Sequence, residues 1–151
     1  MMNELISLSP TTTGFRVGLI GAGAFLLWGM TLGVWKYGHM RRGPDHSAPV
    51  YVDIAHRAAL MYAFASLVLA VMAQFSAWPE VVDTSAVVIN LVFFVSAVGS
   101  YVAHGWLETE QTQYREANFI TTWGTWMLIA GEVGATAVLL TGVATEMISL
   151  V

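Results

Sequence analysis

The chain has 151 residues, of which 56% are hydrophobic and 11% are charged, and its mean hydropathy is +0.65. This composition excludes an ordinary water-soluble domain and predicts an integral membrane protein. The formal net charge is −4 and the six Lys and Arg residues form no extended basic patch, so we expect no nucleic-acid partner. The absence of cysteine excludes disulfides, thiolate metal sites and covalent attachment of a c-type heme.

Four apolar stretches have the length that crosses the roughly 30 Å hydrocarbon core of a bilayer. They predict an all-α fold, an integral membrane four-helix bundle with up-down-up-down topology. The whole chain, 1–151, then forms a single transmembrane domain in contact with the lipid bilayer, with spans at about 15–35, 55–75, 85–105 and 120–144.

The first span contains two pairs of glycines four residues apart, Gly14/Gly18 and Gly29/Gly33. This spacing lets a second helix approach closely in lipid, although membrane helices are also glycine-rich in general. The next residues, 36–54, combine glycine, proline, histidine and charged side chains, and we predict that they form a polar loop.

The second span carries His56 near its start and small residues at a helical spacing behind it. A partly desolvated imidazole must find a hydrogen bond, a charge or a metal, so His56 is either a hydrogen-bonded interface residue or a ligand. The small residues predict a narrow packing seam on one face of the helix, and they are Ala59, Ala63, Ser66, Ala70 and Ala73.

The third span ends with Tyr101, His104 and Glu108, which share one helical face. The fourth span holds Glu132 near its middle, where a bare carboxylate costs roughly 2.5 to 3.5 kcal/mol. We expect Glu132 to face the bundle or a protomer interface, either protonated or paired, and Asn90 in the third span is a candidate hydrogen-bonding partner.

Basic residues predict the orientation in the membrane. Arg16 lies alone at one face, whereas the side of loops 1 and 3 holds Lys36, Arg41, Arg42, Arg57 and Arg115. Loops 1 and 3 should therefore be cytoplasmic, with both termini outside. The topology also brings all four histidines, His39, His46, His56 and His104, to the cytoplasmic face.

The histidine spacing disfavours most histidine metal sites. The chain has no histidine boxes of the kind that hold a di-iron centre, no Glu-x-x-His motif and no HExxH motif. A heme iron needs only one histidine from the protein, because the porphyrin already supplies four nitrogens.

The chain resembles the styrene oxide isomerases, which are small four-span bacterial membrane enzymes. The resemblance is carried by Ala55-His56, by Met61 and by Val98-Gly99-Ser100-Tyr101, with the 45 residues from His56 to Tyr101 matching the family spacing. It implies a homotrimer in the bacterial inner membrane with one heme b at each protomer interface. His56 would be the axial ligand of ferric iron, with Tyr101 and His104 beside the cofactor.

The implied activity is the rearrangement of an apolar aryl epoxide to an aldehyde. The ferric iron would act as a Lewis acid, and Tyr101 would position the substrate oxygen. The chain departs from the family at Tyr62, where the family has asparagine. That phenol adds bulk to the site and is a further candidate for contact with the substrate or the iron.

Two alternatives stay open. One is a b-type cytochrome subunit that passes electrons with His56 and His104 as axial ligands. The other is a membrane subunit without enzymatic activity, in which the histidines only form hydrogen bonds at the interface.

Overall fold

A computed structural model describes residues 11–43, 45–107 and 119–150, with the backbone alone over 119–122. In this part of the chain every regular element is a helix. Each helix is long and apolar enough to cross a membrane, which confirms the all-α membrane bundle. The helices are α1 (Thr13–Arg42), α2 (Val50–Gln74), α3 (Glu80–Trp106) and α4 (Phe119–Ser149).

The loop between α1 and α2 is shorter than the sequence predicts. It comprises residues 43–49, so the predicted loop over 36–54 is wrong. Gly38 lies inside α1, where one glycine costs only about 1 kcal/mol relative to alanine. The helix ends at Gly43, whose N–H donates to the carbonyl of His39 at 2.9 Å.

Helix α2 begins earlier than predicted, which moves His56 from the first turn of the helix to the second. Pro49 precedes the first turn, Asp53 lies within that turn, and His56 therefore belongs to the second turn. A helix of 25 residues rises about 38 Å, which exceeds the roughly 30 Å hydrocarbon core. His56 thus lies near the start of a helix that is longer than the hydrocarbon core is thick.

Helices α1 and α2 pack closely along glycine and alanine. A Cβ atom added to Gly18 would lie 2.8 Å from the Cβ of Ala70, and one added to Gly14 would lie 3.0 Å from the Cβ of Ala73. The predicted seam of small residues on α2 is buried throughout. The glycine spacing in α1 therefore serves close helix packing.

The four helices alternate in direction. Helix α2 lies against α1, α3 and α4, whereas α1 and α4 are not in contact over the described residues. Hydrogen bonds at the end of the bundle opposite the α1–α2 loop hold the start of α1. The N–H of Thr12 donates to Gln74 at 3.0 Å, and the N–H of Thr13 donates to Glu80 at 2.6 Å.

Aromatic rings fill the centre of the bundle. The ring of Phe25 lies about equally far from Trp28, Tyr62 and Phe94, at 6.0, 6.1 and 6.2 Å between centroids. At the second loop, Trp78 Nε1 donates to the carbonyl of Val138 at 3.0 Å. This bond attaches the α2–α3 connection to α4.

Candidate functional site

His56 faces α1, and a backbone carbonyl fixes its imidazole. Its Nδ1 lies 2.8 Å from the carbonyl oxygen of Gly29. A carbonyl oxygen only accepts, so Nδ1 carries the hydrogen and the lone pair of the neutral ring is on Nε2. Coordination of a metal through Nε2 needs this tautomer, and metal-bound histidines usually donate their other ring N–H to a carbonyl or carboxylate.

Gly33 provides the space for this ring. A Cβ atom at Gly33 would lie 2.9 Å from Cε1 of His56 and 3.2 Å from Nδ1. The second glycine pair of α1 therefore holds the histidine, with Gly29 supplying its carbonyl and Gly33 the room. The sequence revealed the glycine spacing, but it did not connect that spacing to His56.

Charged side chains lie beside His56 at the end of the bundle where α2 begins. Asp53 forms ion pairs with Lys36 of α1 at 2.6 Å and with Arg57 at 3.0 Å. Lys36 and Asp53 are partly exposed and Arg57 is mostly exposed, so the stability gained is modest. The ion pairs link α1 to α2 beside the histidine, a connection hidden in the sequence because Lys36 was predicted to lie in a loop.

A cleft of about 640 Å³ opens on another side of α2. This volume lies within the usual range for small-molecule sites. Tyr62 and Tyr101 are the two phenols that line it, and the remaining lining residues are Ile54, Arg57, Ala58, Leu60 and Met61. The predicted pair of tyrosines therefore shares one cavity.

The cleft does not include His56. Residues 56 and 62 project about 120° apart around α2 at 3.6 residues per turn, and His56 is turned toward Gly29 and Gly33 of α1. Within one chain the structure brings Tyr62 and Tyr101 together and leaves the imidazole on a different face of the same helix.

Tyr62 is held by aromatic contacts rather than left in open space. Its ring is stacked on Phe94 with centroids 4.1 Å apart and planes at 13°, and it is tilted against Phe25 at 6.1 Å. Tyr62 therefore connects the packed interior of the bundle to the cleft.

His104 occupies a different position from His56. Its ring lies 5.0 Å from that of Tyr51, with the planes at 30°, and its buried Nδ1 has no hydrogen-bond partner within the described part of the chain. Tyr51 precedes His56 by five residues on α2, a rise of about 7.5 Å. Tyr101 and His104 both face α2, in agreement with the shared helical face that their spacing predicts, while Glu108 lies outside the described residues.

The other two histidines have local contacts. The ring of His39 lies 5.8 Å from that of Trp35 in a small cavity of about 220 Å³ that also includes Gly105 and Trp106. His46 lies in the loop with a left-handed backbone, φ 49°, and its Nδ1 is 3.2 Å from the carbonyl of Met40. All four histidines lie at the end of the bundle where α1 and α3 end.

The predicted hydrogen bond between Asn90 and Glu132 is wrong. Asn90 is fully buried and accepts a hydrogen bond from Thr136 at 3.2 Å, while its amide donates to the carbonyl of Ala86 at 3.0 Å. Thr136 lies one helical turn beyond Glu132 on α4, so the shorter hydroxyl occupies the place that the carboxylate was expected to take.

Over the described ranges, no group of three or more His, Asp or Glu side chains is arranged to hold a metal ion. A metal bound through His56 would take its other donors from a ligand such as a porphyrin. Comparisons with protein-family models, with curated protein sequences and with solved structures find no match to this chain.

Proposed function

We propose that this chain is a membrane-embedded heme-b isomerase that rearranges an aryl epoxide to an aldehyde. The observation that supports it best is the hydrogen bond from His56 Nδ1 to the Gly29 carbonyl, which in the neutral ring leaves the lone pair of Nε2 to bind a metal. The resemblance to styrene oxide isomerases supplies the reaction class.

The setting of the His56 imidazole supports heme as the cofactor. His56 would be its axial ligand, held in the correct tautomer by Gly29 and given room by the missing side chain of Gly33. Heme b supplies, when bound, a ferric iron that acts as a Lewis acid toward the epoxide oxygen.

The remaining chemistry belongs to the cleft. Its aliphatic wall would hold the aryl group and exclude water, which would otherwise convert an opened epoxide to a diol. The hydroxyl of Tyr101 would position the epoxide oxygen. A hydride then moves between adjacent substrate carbons, so neither an electron donor nor a second substrate is consumed.

Because His56 lies outside the cleft of its own chain, a site built from residues of two protomers is favoured. In the homotrimer that the resemblance implies, heme would lie between protomers, and the histidine and the tyrosines would not need to come from the same chain. The lipid-spanning helices and the basic loops would place this trimer in a bacterial inner membrane with loops 1 and 3 in the cytoplasm.

The electron-transfer alternative has less support. Two axial histidines must present their imidazoles to opposite faces of one heme, whereas in a single chain His56 faces α1 and His104 lies against Tyr51. No further observation favours this function.

The decisive experiment is spectroscopic and catalytic. The protein, purified in detergent, should show the Soret absorbance of heme and should convert styrene oxide to an aldehyde. His56→Ala should lose both, and the loop variant His46→Ala should keep both. A wild type without heme absorbance, or a His56→Ala variant that retains heme and activity, would refute the proposal.

A further inference from the structure

One charged side chain lines the cleft, that of Arg57. Its Nη2 lies 3.0 Å from Oδ2 of Asp53, and Nζ of Lys36 lies 2.6 Å from the other oxygen of the same carboxylate. Two cations therefore share one anion, and the three groups together keep a charge of +1. The side chain of Arg57 is 67% exposed and has no other ion-pair partner among the described residues. Its remaining N–H groups can donate to a second anion.

The guanidinium of Arg57 points toward the start of α2. Side chains of a helix tilt toward its N-terminus, and the ion pair with Asp53, four residues earlier, holds Arg57 in that direction. Arginines near the ends of membrane helices extend toward the interface in this way, with their aliphatic stems along the apolar surface. The donors that Asp53 leaves unused are therefore directed toward the region of lipid phosphates.

An apolar stripe continues from Arg57 along the same face of α2. It consists of exposed large side chains at spacings of three and four residues, namely Met61, Phe64, Val68 and Val71. Met61 and Phe64 are the most exposed, at 69% each. From Arg57 to Val71 the helix rises about 21 Å, which is more than half of the roughly 30 Å hydrocarbon core. The stripe is thus long enough to cross one leaflet.

The side chains of the apolar stripe suit lipid better than another helix. Helices that associate in lipid meet through small residues, which allow their backbones to approach. Helix α2 buries its small residues inside the bundle, along the seam from Ala59 to Ala73. The apolar stripe contains no glycine, alanine or serine, so acyl chains are its natural cover.

The cleft has an outer edge and an inner part. Arg57 and Met61 form the exposed outer edge, from which the apolar stripe continues. Tyr62 and Tyr101 form the inner part and pack against the core of the bundle. A molecule bound at the outer edge therefore need not displace one bound beside the phenols.

We propose that the outer edge of the cleft binds an anionic phospholipid. The guanidinium of Arg57 donates to the lipid phosphate, and one acyl chain lies along the apolar stripe. The local charge of +1 matches a headgroup of charge −1, such as phosphatidylglycerol, and disfavours the ammonium group of a zwitterionic lipid. The bound lipid closes the outer side of the cleft, and the inner part is left to the substrate of the proposed function. The lipid site itself does not depend on that function.

Lipid binding to the full-length protein in detergent tests the headgroup. By native mass spectrometry, phosphatidylglycerol should bind about 5-fold more tightly than phosphatidylcholine with the same acyl chains. Arg57→Gln should bind both lipids equally, and in this variant Lys36 still pairs with Asp53 and links α1 to α2. The control Arg41→Gln removes an exposed charge at the end of α1 and should keep the preference.

Three results would overturn the headgroup assignment. They are a wild type without preference, a preference that survives Arg57→Gln, and a preference that Arg41→Gln abolishes as completely. Oleate distinguishes a phospholipid from a free fatty acid, because it offers a carboxylate on a single chain. It should not displace phosphatidylglycerol at equal concentration, and full displacement would contradict a phospholipid as the ligand.

A phosphatidylglycerol with a photoactivatable group in its acyl chain tests the apolar stripe. Peptide mapping should place its crosslinks within residues 61–71, and Arg57→Gln should lower their yield about 5-fold. Crosslinks confined to α4, or an unchanged yield in Arg57→Gln, would show that lipid does not bind along the stripe. Phe64→Cys tests a second copy as the cover, because a disulfide-linked dimer formed in membranes would replace the lipid by a neighbouring chain.

Discussion

At the scale of single residues, the position of the His56 ring depends on the absence of a Cβ atom at Gly33. Gly33 leaves room for the imidazole, and Gly29 accepts its hydrogen bond. Both glycines belong to a spacing that usually indicates helix packing alone. One glycine pair of a helix can therefore serve packing while another pair of the same helix fixes the position of a histidine.

Gly33→Ala tests this dependence. Its methyl group would lie 2.9 Å from Cε1 of His56 and should push the ring off the Gly29 carbonyl. If His56 binds heme, the affinity for heme should fall about 10- to 100-fold, the usual cost of losing such a supporting bond. Heme titration of the purified protein measures this affinity.

The matched control lies on the same helix. A Cβ atom at Gly38 meets no atom within 4 Å, so Gly38→Ala should bind heme like the wild type. Equal heme affinities for the two alanine variants would show that the contact with Gly33 does not position the histidine.

At the scale of helices, the α1–α2 hairpin forms the most closely packed part of the bundle. A Cβ atom at Gly18 would lie 2.8 Å from the Cβ and 2.9 Å from the Cα of Ala70. The second contact is with backbone, which cannot rotate away. The two helices must therefore separate to accept any larger residue.

Gly18→Val should destabilise the protein by about 1 to 3 kcal/mol, the range for an overpacked core. Thermal unfolding in detergent, followed by circular dichroism, measures the effect as a lower midpoint. Gly23→Val introduces the same β-branched side chain on the same helix where a Cβ meets no atom within 4 Å, and it should unfold like the wild type. Equal midpoints would contradict the close approach.

At the scale of the whole molecule, the orientation can be tested with single cysteines because the chain has none of its own. Ser47→Cys and Ala77→Cys place exposed thiols in the first and second loops. If loops 1 and 3 are cytoplasmic, a membrane-impermeant maleimide added to intact cells should label Ala77→Cys alone. Ser47→Cys should react only after permeabilisation, and the reverse pattern would invert the topology.

The oligomeric state is the second prediction at this scale. Helix α4 is the least buried of the four and exposes large apolar side chains, among them Trp126, Met127 and Val133. Lipid or neighbouring protomers must cover them. We expect three copies in the particle, measured by light scattering with the detergent mass subtracted. A monomer that retains heme would contradict an interface site.

The sequence by itself determined the membrane bundle and the need of His56 for a partner, because span length and the cost of a polar group in an apolar helix are local properties. The end of α1 was misplaced, since one glycine does not stop a helix whose neighbours continue it. The tertiary structure decided the partners, Gly29 for His56 and Thr136 for Asn90. Each joins residues far apart in the chain, and only helix register and rotation bring such atoms within hydrogen-bonding distance.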